Sequence, residues 1–247
     1  VILTIAAKEL RSLFGAPLAW VVLAVLQVVF GYVFLVALDR YQIMQPQLAQ
    51  YPNPPGVTEA VIAPVFGTAT FILLLVVPLL SMRLIAEERR NQTLTFLLSA
   101  PVSLTEIVLG KFLGLVTFLM VACGLILLMA VSLYAGGRID AGLVAANLIG
   151  IALLASTFAA VGLYLSTLTA QPVVAAISAF AVLIGLWIIG LGASDPESPL
   201  HLVSIMKHYE SFARGTLHTG DLAYFVLVMV LFLALAIRRL DRDRLAA

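Results

Sequence analysis

The chain has 247 residues, 62% of them hydrophobic and 11% charged, with a formal net charge of +1 and a mean hydropathy of +1.11. Water-soluble domains are about half apolar and about a quarter charged, so a soluble globular fold is excluded and a polytopic helical membrane protein is the direct expectation. The net charge offers no footing for nucleic acid, and the single cysteine, Cys123, lies in a hydrophobic run and can form no internal disulfide.

In chain order, residues 1–17 come first. Thr4, Lys8 and Arg11 fall at i, i+4 and i+7 on one stripe, while Ile2, Leu3, Leu10, Leu13 and Phe14 lie largely on the other side. That pattern predicts a short helix in the membrane interface, anchored by Lys8 and Arg11; an ordinary frayed end is the alternative. Gly15-Ala16-Pro17 would turn the chain into the bilayer. The apolar run that follows is too long for a signal-peptide core and has no A-x-A cleavage site after it.

A helix crosses the hydrocarbon with about 20 apolar residues. Six such stretches are predicted, at 18–38, 61–80, 112–133, 143–166, 173–191 and 222–237. The fourth and fifth come from one uncharged run, 141–194, split at Thr169-Ala170-Gln171-Pro172 because proline disfavours helix before it and starts helix well. Pro78 is expected to kink the second span where it leaves the bilayer. The spans contain no Asp, Glu, Lys, Arg or His. Gln27, Asn147, Thr157 and Tyr164 are their main polar groups, expected to make helix–helix hydrogen bonds.

Basic residues orient the spans. Ten of the fourteen Lys and Arg lie in segments 1–17, 81–111, 166–172 and 238–247, whereas Arg40, Arg138, Lys207 and Arg214 lie in the opposite set. Both termini and the 81–111 segment are therefore expected in the cytosol. The outer side would carry a polar loop at 39–60, a short one at 134–142 and a long one at 192–221. In the last of these, Leu202, Ile205 and Met206 suggest an amphipathic helix lying at the surface.

The densest charge in the chain, Glu87, Glu88, Arg89 and Arg90, leads into an apolar stretch. Ser103-Leu104-Thr105-Glu106 matches a capping box, so the third helix should begin in the cytosol near Leu104. It carries Gly110-x-x-x-Gly114 as it enters lipid, a spacing that lets another helix approach closely. Upstream, Asn91 is placed to cap a short helix, 92–98, with Leu94, Phe96, Leu97 and Leu98. The segment is flanked by charge, so lipid is closed to it, yet it is too apolar to stand bare in water. It reads as a plug for a socket on another protein, with the charged run giving register, or else as an interfacial anchor.

Glu87, Glu88, Arg89, Thr93, Leu94, Leu97, Leu98, Pro101, Val102, Glu106, Ile107, Val108, Leu109, Gly110, Lys111 and Phe112 form a pattern that resembles the cytosolic loop of ABC-2 type transporter permeases. Lys8-Glu9-Leu10 with Phe14 is similar to the connecting helix of that family. The stretch 204–215, with His208-Tyr209-Glu210-Ser211-Phe212, resembles the gliding-motility-associated subgroup. The resemblance implies an all-α exporter permease of the type V kind in the bacterial inner membrane, with an interfacial connecting helix at 1–17, a single six-helix domain at 18–247 and a coupling loop at 81–103. It also implies two permease chains, expected to be identical, and two copies of a cytosolic P-loop ATPase that binds the ATP and Mg. A further membrane or periplasmic subunit is compatible with it. Glu87, Glu88, Arg89, Arg90, Asn91, Thr93, Leu94, Phe96, Leu97 and Pro101 would make the docking element.

Other chemistries fit poorly. The only Gly-Lys pair, Gly110-Lys111, has Thr105 and Phe112 where a P-loop needs Gly and Ser or Thr. Gly192-Ala193-Ser194 is followed by Asp195 rather than the glycine of rhomboid-type proteases, and the candidate bases His201, His208 and His218 lie in the outer loop. Their spacing matches no common metal motif. Uncharged spans argue against ion coupling. A membrane anchor that transports nothing remains a second reading, and a membrane-embedded enzyme a remote third.

Overall fold

A computed structural model describes residues 1–48, 56–99, 101–133, 139–192 and 203–246. Among them there is helix and no strand, and six helices are long and apolar enough to cross a membrane. In a bilayer every backbone group must be satisfied within its own segment, which helices achieve. The elements are α1 (Ile2–Gly15), α2 (Pro17–Leu48), a π-helical turn (Thr58–Ile62) running into α3 (Ala63–Ser81), α4 (Arg83–Arg90), α5 (Leu94–Ser99), α6 (Leu104–Ser132), α7 (Ala141–Leu168), α8 (Pro172–Gly192), α9 (Ile205–Ala213) and α10 (Thr219–Ala246).

Local chemistry sets the boundaries. Ala16 is extended (φ −89°, ψ 131°) and turns the chain from α1 into α2, with Pro17 first in its helix. Ser103 caps α6 through the complete capping box, its hydroxyl accepting from the Glu106 N–H and its own N–H donating to the Glu106 carboxylate. Those bonds hold the Glu106 carboxyl, which stands ahead of the apolar stretch 112–133, below its ordinary range. Asp140 caps α7 through the Leu143 N–H.

Three boundaries differ from expectation. Helix α2 runs ten residues past Leu38, through Asp39, Arg40 and Pro46, so the first part of the expected outer loop is helical. Helix α4 continues the second span with a break only at Met82, whose N–H still reaches the Pro78 carbonyl. The charged run is thus a helical extension of the span rather than a loop. The Asn91-capped helix is also corrected. Asn91 closes α4, Gln92 adopts the left-handed conformation (φ 56°), and the Gln92 and Thr93 N–H groups return to the Arg89 and Glu88 carbonyls. This is a Schellman turn, and α5 starts only at Leu94. Ala100, Arg138, Ser194, Asp195, His201 and Leu202 lie outside the described residues.

Helix α7 is the most buried span, and α3, α6, α8, α9 and α10 pack around it. Small residues make close approach possible: a Cβ on Gly162 of α7 would stand 2.0 Å from the Ser81 hydroxyl of α3. Helix α9 packs one apolar face on the bundle, chiefly on α7. Its Ile205, Tyr209 and Phe212 are buried, with Phe212 seated on Gly150 of α7. Gly215 (φ 80°) ends α9 in a second Schellman turn. Beside it His208 pairs with Asp221 (2.7 Å) and stacks on Tyr224, whose hydroxyl donates to the Val203 carbonyl. Of the other polar span residues, Asn147 donates to Leu143 and Ala213, and Thr157 to Leu153.

Candidate functional site

One end of the bundle gathers α1, α4, α5, the start of α6 and the end of α10. Helix α1 lies across α6 with Ile2, Ile5, Ala6 and Glu9 toward it. Gly110 and Gly114 leave the room for this approach: a Cβ on Gly110 would stand 2.6 Å from the Ile5 Cβ, and one on Gly114 would stand 2.7 Å from the Glu9 Cβ. The opposite face of α1 carries Thr4, Lys8, Arg11 and Ser12, all exposed. Leu3, expected on the apolar side, is exposed as well. Phe14 is half-buried between Trp20 (5.6 Å) and Phe118 (5.2 Å), and the Trp20 indole N–H donates to the Phe14 carbonyl (2.8 Å).

The charged run divides by helical position. Glu87 is exposed and pairs with Arg83 one turn back on its own helix (3.7 Å). Arg90 is exposed too. Glu88 and Arg89 turn inward and tie α4 to opposite sides of the bundle. Glu88 accepts from the Lys111 ammonium (2.7 Å), which also pairs with Glu9 of α1. Arg89 donates to the Thr167 carbonyl at the end of α7 (2.8 Å) and pairs with Asp243 near the end of α10. Of the four residues expected to give register, Glu88 and Arg89 are thus paired inside the chain, and Glu87 and Arg90 are exposed.

The apolar segment divides likewise. Leu94 is buried against this chain's own core, Leu97 is half-buried, and Phe96 is 78% exposed. Leu94 thus faces this chain's own core, and Phe96 is an exposed apolar side chain of the segment. The Thr93 hydroxyl donates to the Glu88 carbonyl, and Asn91, Thr93 and Pro101 are exposed. Between α1, α4 and α5 opens a hollow of about 580 Å³ that Glu9, Glu88, Lys111, Phe96 and Leu97 help to line.

Thr167 and Asp243 were not singled out from sequence, and Lys111 stood there only within the family pattern and the failed Gly-Lys motif, with no role of its own. The signal available was its place between Gly110 and Gly114, which puts it on the face that another helix approaches.

An ion-paired end that exposes Phe96 can bind a partner and pass displacement to several spans. No curated protein matches the chain. The family model described as ABC-2 family transporter protein matches residues 3–245, nearly the whole length. Families of this kind are transport subunits that generally work with a cytosolic ATPase. With six apolar helices and a match of that extent, this chain is a multi-pass membrane protein that belongs to the ABC-2 transporter permease family.

Proposed function

We propose that the chain is the permease half of an ATP-driven exporter whose engine is a separate cytosolic P-loop ATPase, two copies of each making the working unit. Both termini and α4–α5 face the cytosol of the bacterial inner membrane in this reading, in keeping with the basic excess on that side. ATP and Mg bind to the partner. Its closure would press on α5 at Phe96, move α4, and through α4 the second span with which that helix is nearly continuous; hydrolysis resets the arrangement. The large apolar side chains exposed along α2 and α8, such as Val25, Val28, Val174 and Ile177, face lipid or the second permease chain. The likeness at 82–114 and 204–225 favours the gliding-motility-associated subgroup.

The observation that carries the reading is a single one: an aromatic side chain, 78% exposed, on a short helix whose neighbours are ion-paired to the spanning bundle. Buried aromatic anchors in docking sites cost about 2–4 kcal/mol when removed, roughly 30-fold or more in affinity. Phe96→Asp should therefore abolish co-purification of the ATPase, while membrane insertion and melting stay as in wild type, because an exposed position tolerates substitution. Capture of the ATPase at wild-type levels by this variant would remove the docking assignment. An ATPase that is captured but whose turnover never responds to the permease would favour the anchor instead.

A further inference from the structure

Lys111 is 2% exposed, yet its side-chain nitrogen stands at the junction of three elements. Its two partners come from far apart in sequence: Glu9 from α1 and Glu88 from α4. A buried ammonium is costly unless it is paired on several sides, and here it is held only by bringing both carboxylates to it. Helix α4 packs chiefly on α3, α5, α7 and α8, and at most marginally on α1 or α6. At this end of the bundle the lysine side chain is thus the main bridge between α4 and the α1–α6 pair. The α1–α6 pair is itself locked by the close approach at Gly110 and Gly114. On the far side of α4, Arg89 makes the matching tie to α7 and α10.

We infer that Lys111 is a positioning residue for transport: a charged pin that fixes the spacing of α1 and α4, so that movement of α4 carries α1 and α6 with it. The transport role rests on the docking reading above; the pin itself does not, and it is tested without any ATPase.

Spin labels at Arg11→Cys and Arg90→Cys, both exposed sites, would report the α1–α4 distance by pulsed dipolar spectroscopy on the full chain in nanodiscs. The otherwise unsubstituted chain should give one narrow distance. Lys111→Met, which strands two carboxylates, should lose it, and Lys111→Arg should restore it. Because Lys111→Met could also impair folding, the informative variant is the triple Glu9→Met, Lys111→Met and Glu88→Met. Replacing buried ions by apolar side chains of like size is often neutral for stability, so this chain should melt as wild type does and still lose the narrow distance. A narrow, unshifted distance in the triple variant would show that packing alone sets the spacing and would overturn the pin. In complex with ATPase, the same triple variant should keep capture through Phe96 and lose permease-dependent stimulation of hydrolysis. Wild-type stimulation would overturn the transport role and leave the docking reading standing.

Discussion

Adding a methyl group at Gly110 or Gly114 should push α1 off α6. The new Cβ at 110 would lie 2.6 Å from the Ile5 Cβ and 3.1 Å from the Ile2 carbonyl oxygen. At 114 it would lie 2.7 Å from the Glu9 Cβ and 3.0 Å from the Ala6 carbonyl oxygen. Carbon atoms rest at about 3.5–4.0 Å, and atoms next to the backbone cannot swing aside, so α1 must retreat by roughly 1 Å. Overpacking of this kind costs about 1–3 kcal/mol per site. Against it stands the better helix propensity of alanine, about 1 kcal/mol. Gly124 supplies the control on the same helix: no atom lies within 4 Å of its missing Cβ, so Gly124→Ala keeps the propensity gain alone. The stability difference between Gly114→Ala and Gly124→Ala is then the overpacking cost itself, about 1–3 kcal/mol. Unfolding by SDS in mixed micelles measures it. Trp20, hydrogen-bonded to the Phe14 carbonyl at the end of α1, reports the displacement by its emission once Trp187 is replaced by Phe. If Gly110→Ala with Gly114→Ala is as stable as Gly124→Ala, and Trp20 emission is unmoved, the close approach of α1 to α6 is wrong.

Two further outcomes are expected. A Cβ at Gly162 would meet both the hydroxyl (2.0 Å) and the Cβ (2.7 Å) of Ser81, so Gly162→Ala should be rescued by Ser81→Gly and not by Ser81→Ala, read by the same SDS titration. A membrane-impermeant maleimide should label Phe96→Cys in inside-out vesicles and not in intact cells, while Leu94→Cys and the native Cys123, both buried, stay unlabelled. Labelling of position 96 in intact cells would reverse the orientation on which the docking reading depends.

The spans were legible because lipid imposes one-dimensional rules. A long uncharged run, a basic flank and a proline mark a crossing helix whatever its neighbours do. The break at 169–172 and the capping box at Ser103 were readable for the same reason, since both are settled by residues within one turn. Misreadings fell where two local rules competed. Asn91 is a good helix starter, but α4 closes through a Schellman turn at Gln92 and leaves Asn91 at its end. Of the trio Leu202, Ile205 and Met206, Ile205 is on the buried face of α9 and Leu202 lies outside the described residues; their spacing could not say that Gly150 opens a slot for Phe212 within the bundle.

By itself, then, the amino-acid order determined the class of solvent, the number of crossings, the bias of basic charge and the glycine spacing on α6. These are properties of short windows and of counting. Only the tertiary structure decided which charges are spent at home and which face outward. Glu87 and Glu88 are neighbours with the same chemistry, yet one pairs within its own helix and the other reaches Lys111. Leu94 and Phe96 are two residues apart, yet one is core and the other bare. The reason is geometric: successive residues on a helix point about 100° apart, and the helix that waits in each direction is set by contacts across most of the chain, as Arg89 with Asp243 and Lys111 with Glu9 show.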